Sequence, residues 1–229
     1  MTTYPFKLYV AFSTALLMSK VVAAGVPEVA TSCQSCHSFE TPAAIVEQNL
    51  QNRIAPPLYF AGNKFRRGWL IDWLQSPSQI RPSGTFYAMH TSTVDGEDFV
   101  DEGSLIPHTA VGSAEAEELA DWLMTLTPKA ELIAAEANYT PGNVSPRLGA
   151  MDFVKFKGCG GCHRDTPEYG GLSGPELYTA WQRLQPGYIV SYMREPAAWD
   201  SLSTMPNRAM GDIQIHKLTD YLKTLSGED

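Results

Sequence analysis

The sequence predicts an all-α protein built as two tandem domains, and three observations carry that reading. Apolar and aromatic residues recur at helical spacing, as in Leu70, Trp73 and Leu74 and again in Leu119, Trp122, Leu123 and Leu126. Strand-like alternation is nearly absent. The chain also repeats itself. "PPLYFAGNKFRRGWLIDWLQSP" (Pro56 to Pro77) matches "PELYTAWQRLQPGYIVSYMREP" (Pro175 to Pro196) without a gap at an offset of 119. "SLIPHTAVGSAEAEELADWLMTL" (Ser104 to Leu126) matches "STMPNRAMGDIQIHKLTDYLKTL" (Ser203 to Leu225) at an offset of 99. The chain therefore holds two copies of one helical unit, and copy one carries about twenty extra residues between Pro77 and Ser104.

Each element has a reason in the sequence. Lys7, the apolar run "LYVAFSTALLM" and the small residues "VVAAG" read as a secretory signal over residues 1–24, cleaved near Ala23 or Ala24. Lys20 interrupts the run short of the roughly 20 residues that a membrane-spanning helix needs. Domain one covers residues 25–138. Too little chain precedes Cys33 for a leading helix. Its middle helix stops at Pro77, as the corresponding helix of copy two stops at Pro196. "TPGNVSP" (Thr140 to Pro146) has the turn-rich composition of a linker, and domain two covers residues 139–229. "LGAMDFVKFKGCGGCH" gives domain two an amphipathic leading helix.

The cysteines narrow the chemistry. Cys33, Cys36, Cys159 and Cys162 are the four thiols of the chain, and each pair is Cys-x-x-Cys followed directly by a histidine, His37 or His163. A thioredoxin-like dithiol needs a strand before the motif and a βαβ context after it. A zinc site does not explain a histidine fixed behind both pairs. Haem c accounts for every position: the cysteines add across the two vinyl groups and the histidine becomes the proximal iron ligand. Two covalent haems c follow, bound through Cys33, Cys36, Cys159 and Cys162, with His37 and His163 on iron. Each small helical unit would use its haem as the centre of its core.

The haem motif, a proline ahead of a Leu-Tyr pair, the aromatic middle helix, the "MP" segment and the terminal "DYLKTL" helix resemble class I cytochrome c domains. Their doubling resembles a periplasmic dihaem cytochrome c, and the likeness spans essentially all of the mature chain. The resemblance implies that the carbonyls of Pro56 and Pro175 take up the ring N–H of the proximal histidines. It implies that Met205, in "STMPN", is the distal ligand of the second haem, with Met193 and Met210 as competing thioethers assigned to packing. In domain one the slot of Met205 is held by Ile106, which cannot bind iron. His108, Met89 and His90 are the candidates for the distal position there, and a five-coordinate iron is the alternative.

Charge bears on partners. The chain has a net charge of −8. From Gly25 to Asn138 there are 15 acidic residues against 6 basic ones, and from Tyr139 onward 10 against 9. The excess gathers in domain one, in "DGEDFVDEG" and "EAEE". Nothing suggests nucleic-acid binding, and an anionic membrane surface would repel the protein. The loop is suited to steering a basic redox protein. The expected function is electron transfer between periplasmic or membrane-bound redox partners, without substrate chemistry and without membrane insertion after signal cleavage. The alternative is a dihaem redox enzyme, a peroxidase or small sulfur-compound oxidoreductase, acting at an open or displaceable site on haem one.

Overall fold

In a computed structural model of the chain, the structure describes residues 25–41 and 50–227. The signal assigned to residues 1–24 lies outside them. Copy one opens with short 3-10 turns at Glu28–Ala30 and Ser32–Ser35, then forms α1 (Ala61–Lys64), α2 (Arg67–Gln75), α3 (Ser113–Met124) and α4 (Ala130–Ala134). Copy two forms α5 (Pro146–Ala150), a π-helical continuation over Met151–Phe156, α6 (Ala180–Arg183), α7 (Pro186–Arg194), α8 (Pro196–Trp199) and α9 (Asp212–Leu225). The repeat is visible in this order: α1 and α2 answer to α6 and α7, and α3 answers to α9. No helix among the described residues is long and apolar enough to cross a membrane.

The expected all-α class is corrected by a two-stranded antiparallel sheet. Strand β1 (Thr91–Val94) pairs with β2 (Glu97–Val100), with Thr91 opposite Val100 and Val94 opposite Glu97. The turn is Asp95-Gly96, and both residues have positive φ, 53° and 86°. Two successive left-handed residues make the tight turn that suits a twisted hairpin, and Asp-Gly supplies them at low cost. This hairpin lies in the extra segment of copy one, so the acidic stretch read as a loop is largely strand and turn. Tyr87 and Thr93 both donate to the Asp98 carboxylate, which fastens the hairpin from inside.

The second part of that expectation, two domains each folded around its own haem, is also corrected. One apolar cluster draws on both copies: Tyr59, Phe60, Phe65, Leu70, Ala120 and Leu123 pack with Trp181, Leu184, Tyr188, Ile189, Trp199 and Leu222. Trp199 is fully buried, and the Tyr59 hydroxyl donates to its carbonyl at 3.0 Å. The copies meet through equivalent residues. Phe65 bridges Leu184, its own counterpart at an offset of 119, in antiparallel fashion. Arg66 N donates to Arg183 O and Gln185 N donates to Lys64 O, each at 2.9 Å. These two bonds are symmetry mates, so the contact has the self-complementary form of a two-fold dimer interface within a single chain.

Beyond this axis, Arg194 grips buried Glu136 through two bonds of 2.7 and 2.8 Å, and Arg53 pairs with Asp200. The linker does not swing free: Gly142 N donates to Asp220 and Thr224 Oγ1 to Val144 O, both on α9.

Candidate haem-binding sites

Both Cys-x-x-Cys-His motifs fold into the same turn. In copy one the N–H groups of Cys36 and His37 donate to Cys33 O at 3.1 and 2.9 Å; in copy two those of Cys162 and His163 donate to Cys159 O at 3.1 and 3.0 Å. Gly158, at a φ of 67°, lets the chain leave the π-helical stretch and enter the second turn. All four cysteines are free thiols, the first of each pair half-buried and the second exposed.

The histidines are oriented by their neighbours. His37 Nδ1 donates to Pro56 O at 2.8 Å and His163 Nδ1 donates to Pro175 O at 2.7 Å. A proton held on Nδ1 leaves Nε2 with its lone pair free for a metal. Burial is the main cause that pushes both imidazoles below their ordinary pKa, with Lys64 and His108 adding to it at His37, and Arg81 and Arg183 at His163. The neutral, ligating form is thereby favoured at both sites. Each proline lies one short bond from the motif as well: Leu58 N donates to Ser38 O and Leu177 N to Arg164 O, at 2.8 and 2.7 Å.

An apolar cavity opens in front of Cys33 and His37. Its walls are almost wholly apolar, from Leu58, Phe65, Trp69, Trp73, Leu119 and Trp122 among others. The aromatic stripe read from the sequence as core thus forms the lining of a site. The donor set fits covalent haem: two thiols in one turn, an imidazole with a free Nε2, and an apolar chamber lined by Cys33 and that imidazole. A four-thiolate metal cluster is not assembled, since no group of three or more His, Cys, Asp or Glu able to hold a metal occurs among the described residues.

The distal candidates separate sharply. His108 lines the same cavity, and its ring centroid is 6.2 Å from that of His37. His108 Nδ1 donates to Thr109 O at 2.9 Å, which again leaves Nε2 free. The ring rests 4.5 Å from Trp73, and its loop is fastened to the end of α2 by Val111 N donating to Leu74 O at 3.0 Å. Met89, by contrast, is 65 % exposed and does not line this cavity. His90 is engaged by Ser104 at 2.8 Å. Ile106, in the slot of Met205, is turned outward at 67 % exposure.

In copy two Met205 is half-buried, its N–H donating to Ser203 Oγ at 3.2 Å, and that hydroxyl bonds Tyr192 on α7 at 2.7 Å. The loop is thus tied to the helix that answers to α2. Met193 and Met210 pack against the apolar cluster of Phe153, Leu218 and Tyr221. Sequence reasoning missed Trp73 as a neighbour of His108 and missed the charged groups beside the two sites, Lys64 and Arg81. No family model matches the chain, and neither a curated protein nor a solved structure matches it.

Proposed function

We propose that this protein is a periplasmic dihaem c-type cytochrome that carries electrons between redox protein partners. The observation that supports this best is an apolar cavity lined together by Cys33, His37 and His108, with the two imidazoles 6.2 Å apart. Haem c supplies one-electron chemistry. The chain holds it through Cys33 and Cys36 in copy one and Cys159 and Cys162 in copy two, orients it through His37 and His163, and excludes water with Trp69, Trp73 and Trp122. His108 in copy one and Met205 in copy two would be the second protein ligands to it. With haem bound, two imidazoles at the copy-one site would give a lower potential than imidazole with thioether at the copy-two site, which would favour electron flow from the first to the second.

The test is the mass and spectrum of the purified protein. Two haems that survive denaturation are expected, with two distinct low-spin signals in electron paramagnetic resonance. His108→Ala should abolish one signal, Met205→Ala the other, and Met89→Ala neither. A mass without haem, or zinc in its place, overturns the reading. The second reading, a redox enzyme, draws on the exposure of His108, a ligand that a small molecule could displace. Turnover of peroxide or thiosulfate without any protein partner would put it first.

A further inference from the structure

The two sites are flanked by cations that nearby carboxylates do not balance. Lys64 closes α1 and Arg183 closes α6, and they are the same position in the two copies. Arg183 is buried beside buried Glu176, with Nε 3.3 Å from the carboxylate. The counterpart of Glu176 in copy one is Pro57, which carries no charge. Lys64 has no carboxylate within ion-pair distance among the described residues. Its ammonium stands instead 4.7 Å from the Phe65 ring centroid, 5.8 Å from Tyr188 and 5.9 Å from Phe60. Burial, with Arg183 and Arg81 adding to it, pushes that ammonium down to about 7.

Arg81 is the second such cation. It belongs to the extra segment of copy one, yet its Nη1 donates to Ser173 O of copy two at 3.1 Å. Two neighbouring contacts hold the segment there: Ser83 Oγ donates to Leu172 O at 2.7 Å, and Glu176 N donates to Ile80 O at 2.8 Å. The extra segment is therefore a strap across the copy-two loop that leads to Pro175. Arg81 has no ion-pair partner among the described residues. Of the four cations gathered here, Arg53 pairs with Asp200 and Arg183 with Glu176, while Lys64 and Arg81 make no ion pair and feel Asp200 only at longer range. A charge withdrawn from water is strongly unfavourable without an opposite charge, so the fold calls for an anion at each. Lys64 stands over Phe65, which lines the cavity of Cys33 and His37, and Arg81 bonds the carbonyl of Ser173, two residues before the Pro175 that holds His163.

We propose that Lys64 and Arg81 bind the carboxylate side chains of the two cofactors, Lys64 at the Cys33–His37 site and Arg81, reaching out of copy one, at the Cys159–His163 site. This rests on the haem reading, because haem c brings two carboxylates with each ring. A charge-assisted bond of ammonium or guanidinium to carboxylate satisfies both groups. A cation held beside the ring also favours the reduced state, which carries one positive charge fewer.

The experiment uses the full holoprotein. Mass spectrometry first counts the haems; a redox titration then follows each haem separately by its shifted nuclear magnetic resonance signals. Arg81→Gln should move the copy-two haem about tenfold toward the oxidised state, a fall of about 59 mV for one electron, and Lys64→Gln should do the same at the copy-one haem. Arg81→Lys and Lys64→Arg, which keep the charge, should restore most of the shift and so separate charge from packing. Two attached haems with unmoved potentials overturn the proposal and leave the haem reading standing. The same follows if both substitutions act on one haem. A protein without haem removes the reading and the proposal together.

Discussion

The turn at Cys33–Cys36 and the turn at Cys159–Cys162 share their backbone bonds, their histidine and the proline carbonyl that orients it, while the loops opposite them have diverged. Where copy one presents His108, copy two has Asn207, whose amide donates to Glu195 at 2.7 Å. Where copy two presents Met205, copy one has Ile106 facing solvent. The difference follows from how each side is built. The proximal side is a closed set of short bonds within a few residues, so one change disturbs all of them. The distal side is a surface loop fastened at its ends, and such loops accept new residues without loss of the scaffold. On the haem reading, a duplicated unit can therefore keep its cofactor and alter the ligand that sets its potential.

The comparison is sharpened first at Gly174. A Cβ there would lie 2.6 Å from His163 Nδ1 and 2.8 Å from Cys162 O, closer than packed atoms approach. Gly174→Ala should push the His163 ring off Pro175 and cost more than about 2 kcal/mol, with loss of the copy-two haem's low-spin spectrum. Ala55 holds the equivalent place in copy one. Ala55→Gly should leave the copy-one spectrum as it is. A Gly174→Ala protein with an unchanged spectrum would show that copy two accommodates a Cβ there as copy one does at Ala55.

Trp199 tests whether the copies stand or fall together. Its side chain is fully buried, packs on Phe60 and Tyr188 from either copy, and donates through Nε1 to Ser191 Oγ at 3.0 Å. Trp199→Ala should destabilise the protein by about 3–5 kcal/mol. Because the core is shared, the spectra of both haems should be lost in one transition at lowered denaturant. Two separated transitions would show that each copy folds alone.

The repeat, the helix stops at Pro77 and Pro196 and both Cys-x-x-Cys-His turns are legible in the sequence because they depend on local spacing. So was the hairpin, in principle: "TSTVDGEDFV" places Asp-Gly between two short runs with β-branched residues, but its acidic character drew attention to charge instead. The shared core was not legible. A gap-free match says which residues are equivalent and is silent on whether equivalent residues touch, as Phe65 and Leu184 do. His108 was a candidate among three because the offset placed it two residues from the vacant slot. Only the fastening of Val111 to Leu74 shows how that loop reaches the cavity.

The acidic hairpin distinguishes copy one further, and the structure limits how its charge is tested. Asp98 and Asp101 are structural, the first accepting from Tyr87 and Thr93 and the second from Gly103 N at 3.1 Å. Asp95→Asn, Glu97→Gln and Glu102→Gln remove charge without removing those bonds, and Asn tolerates the positive φ of Asp95. If the hairpin steers docking, the triple change should lower the association rate with a basic redox partner about tenfold at low salt and much less at high salt. An unchanged rate with unchanged haem spectra would assign the hairpin no part in docking.

The smallest effect contrasts Asp121 with Asp220, equivalent residues on α3 and α9. Asp121 is exposed and pairs with exposed Arg67 at 2.5 Å, and exposed pairs of this kind add little to stability. Asp220 is half-buried and accepts from Tyr139 Oη and Gly142 N, both at 2.8 Å, which ties the linker to α9. Asp121→Asn should leave the unfolding midpoint in place, while Asp220→Asn should cost about 1–3 kcal/mol as two bonds to a charged acceptor weaken. The same contact sets a pH dependence. Burial first and Asp220 second hold the Tyr139 phenol well above its ordinary value. A group whose folded pKa is raised gives its stability in full below the unfolded value, about 10 for tyrosine, and loses it as pH rises beyond. Denaturant melts between pH 8 and 11 should therefore show stability falling above about pH 10, with a shallower fall in Tyr139→Phe. An equally steep fall in that variant would place the alkaline sensitivity elsewhere, at buried Tyr188 or at Tyr221, whose hydroxyls burial also holds in the neutral form.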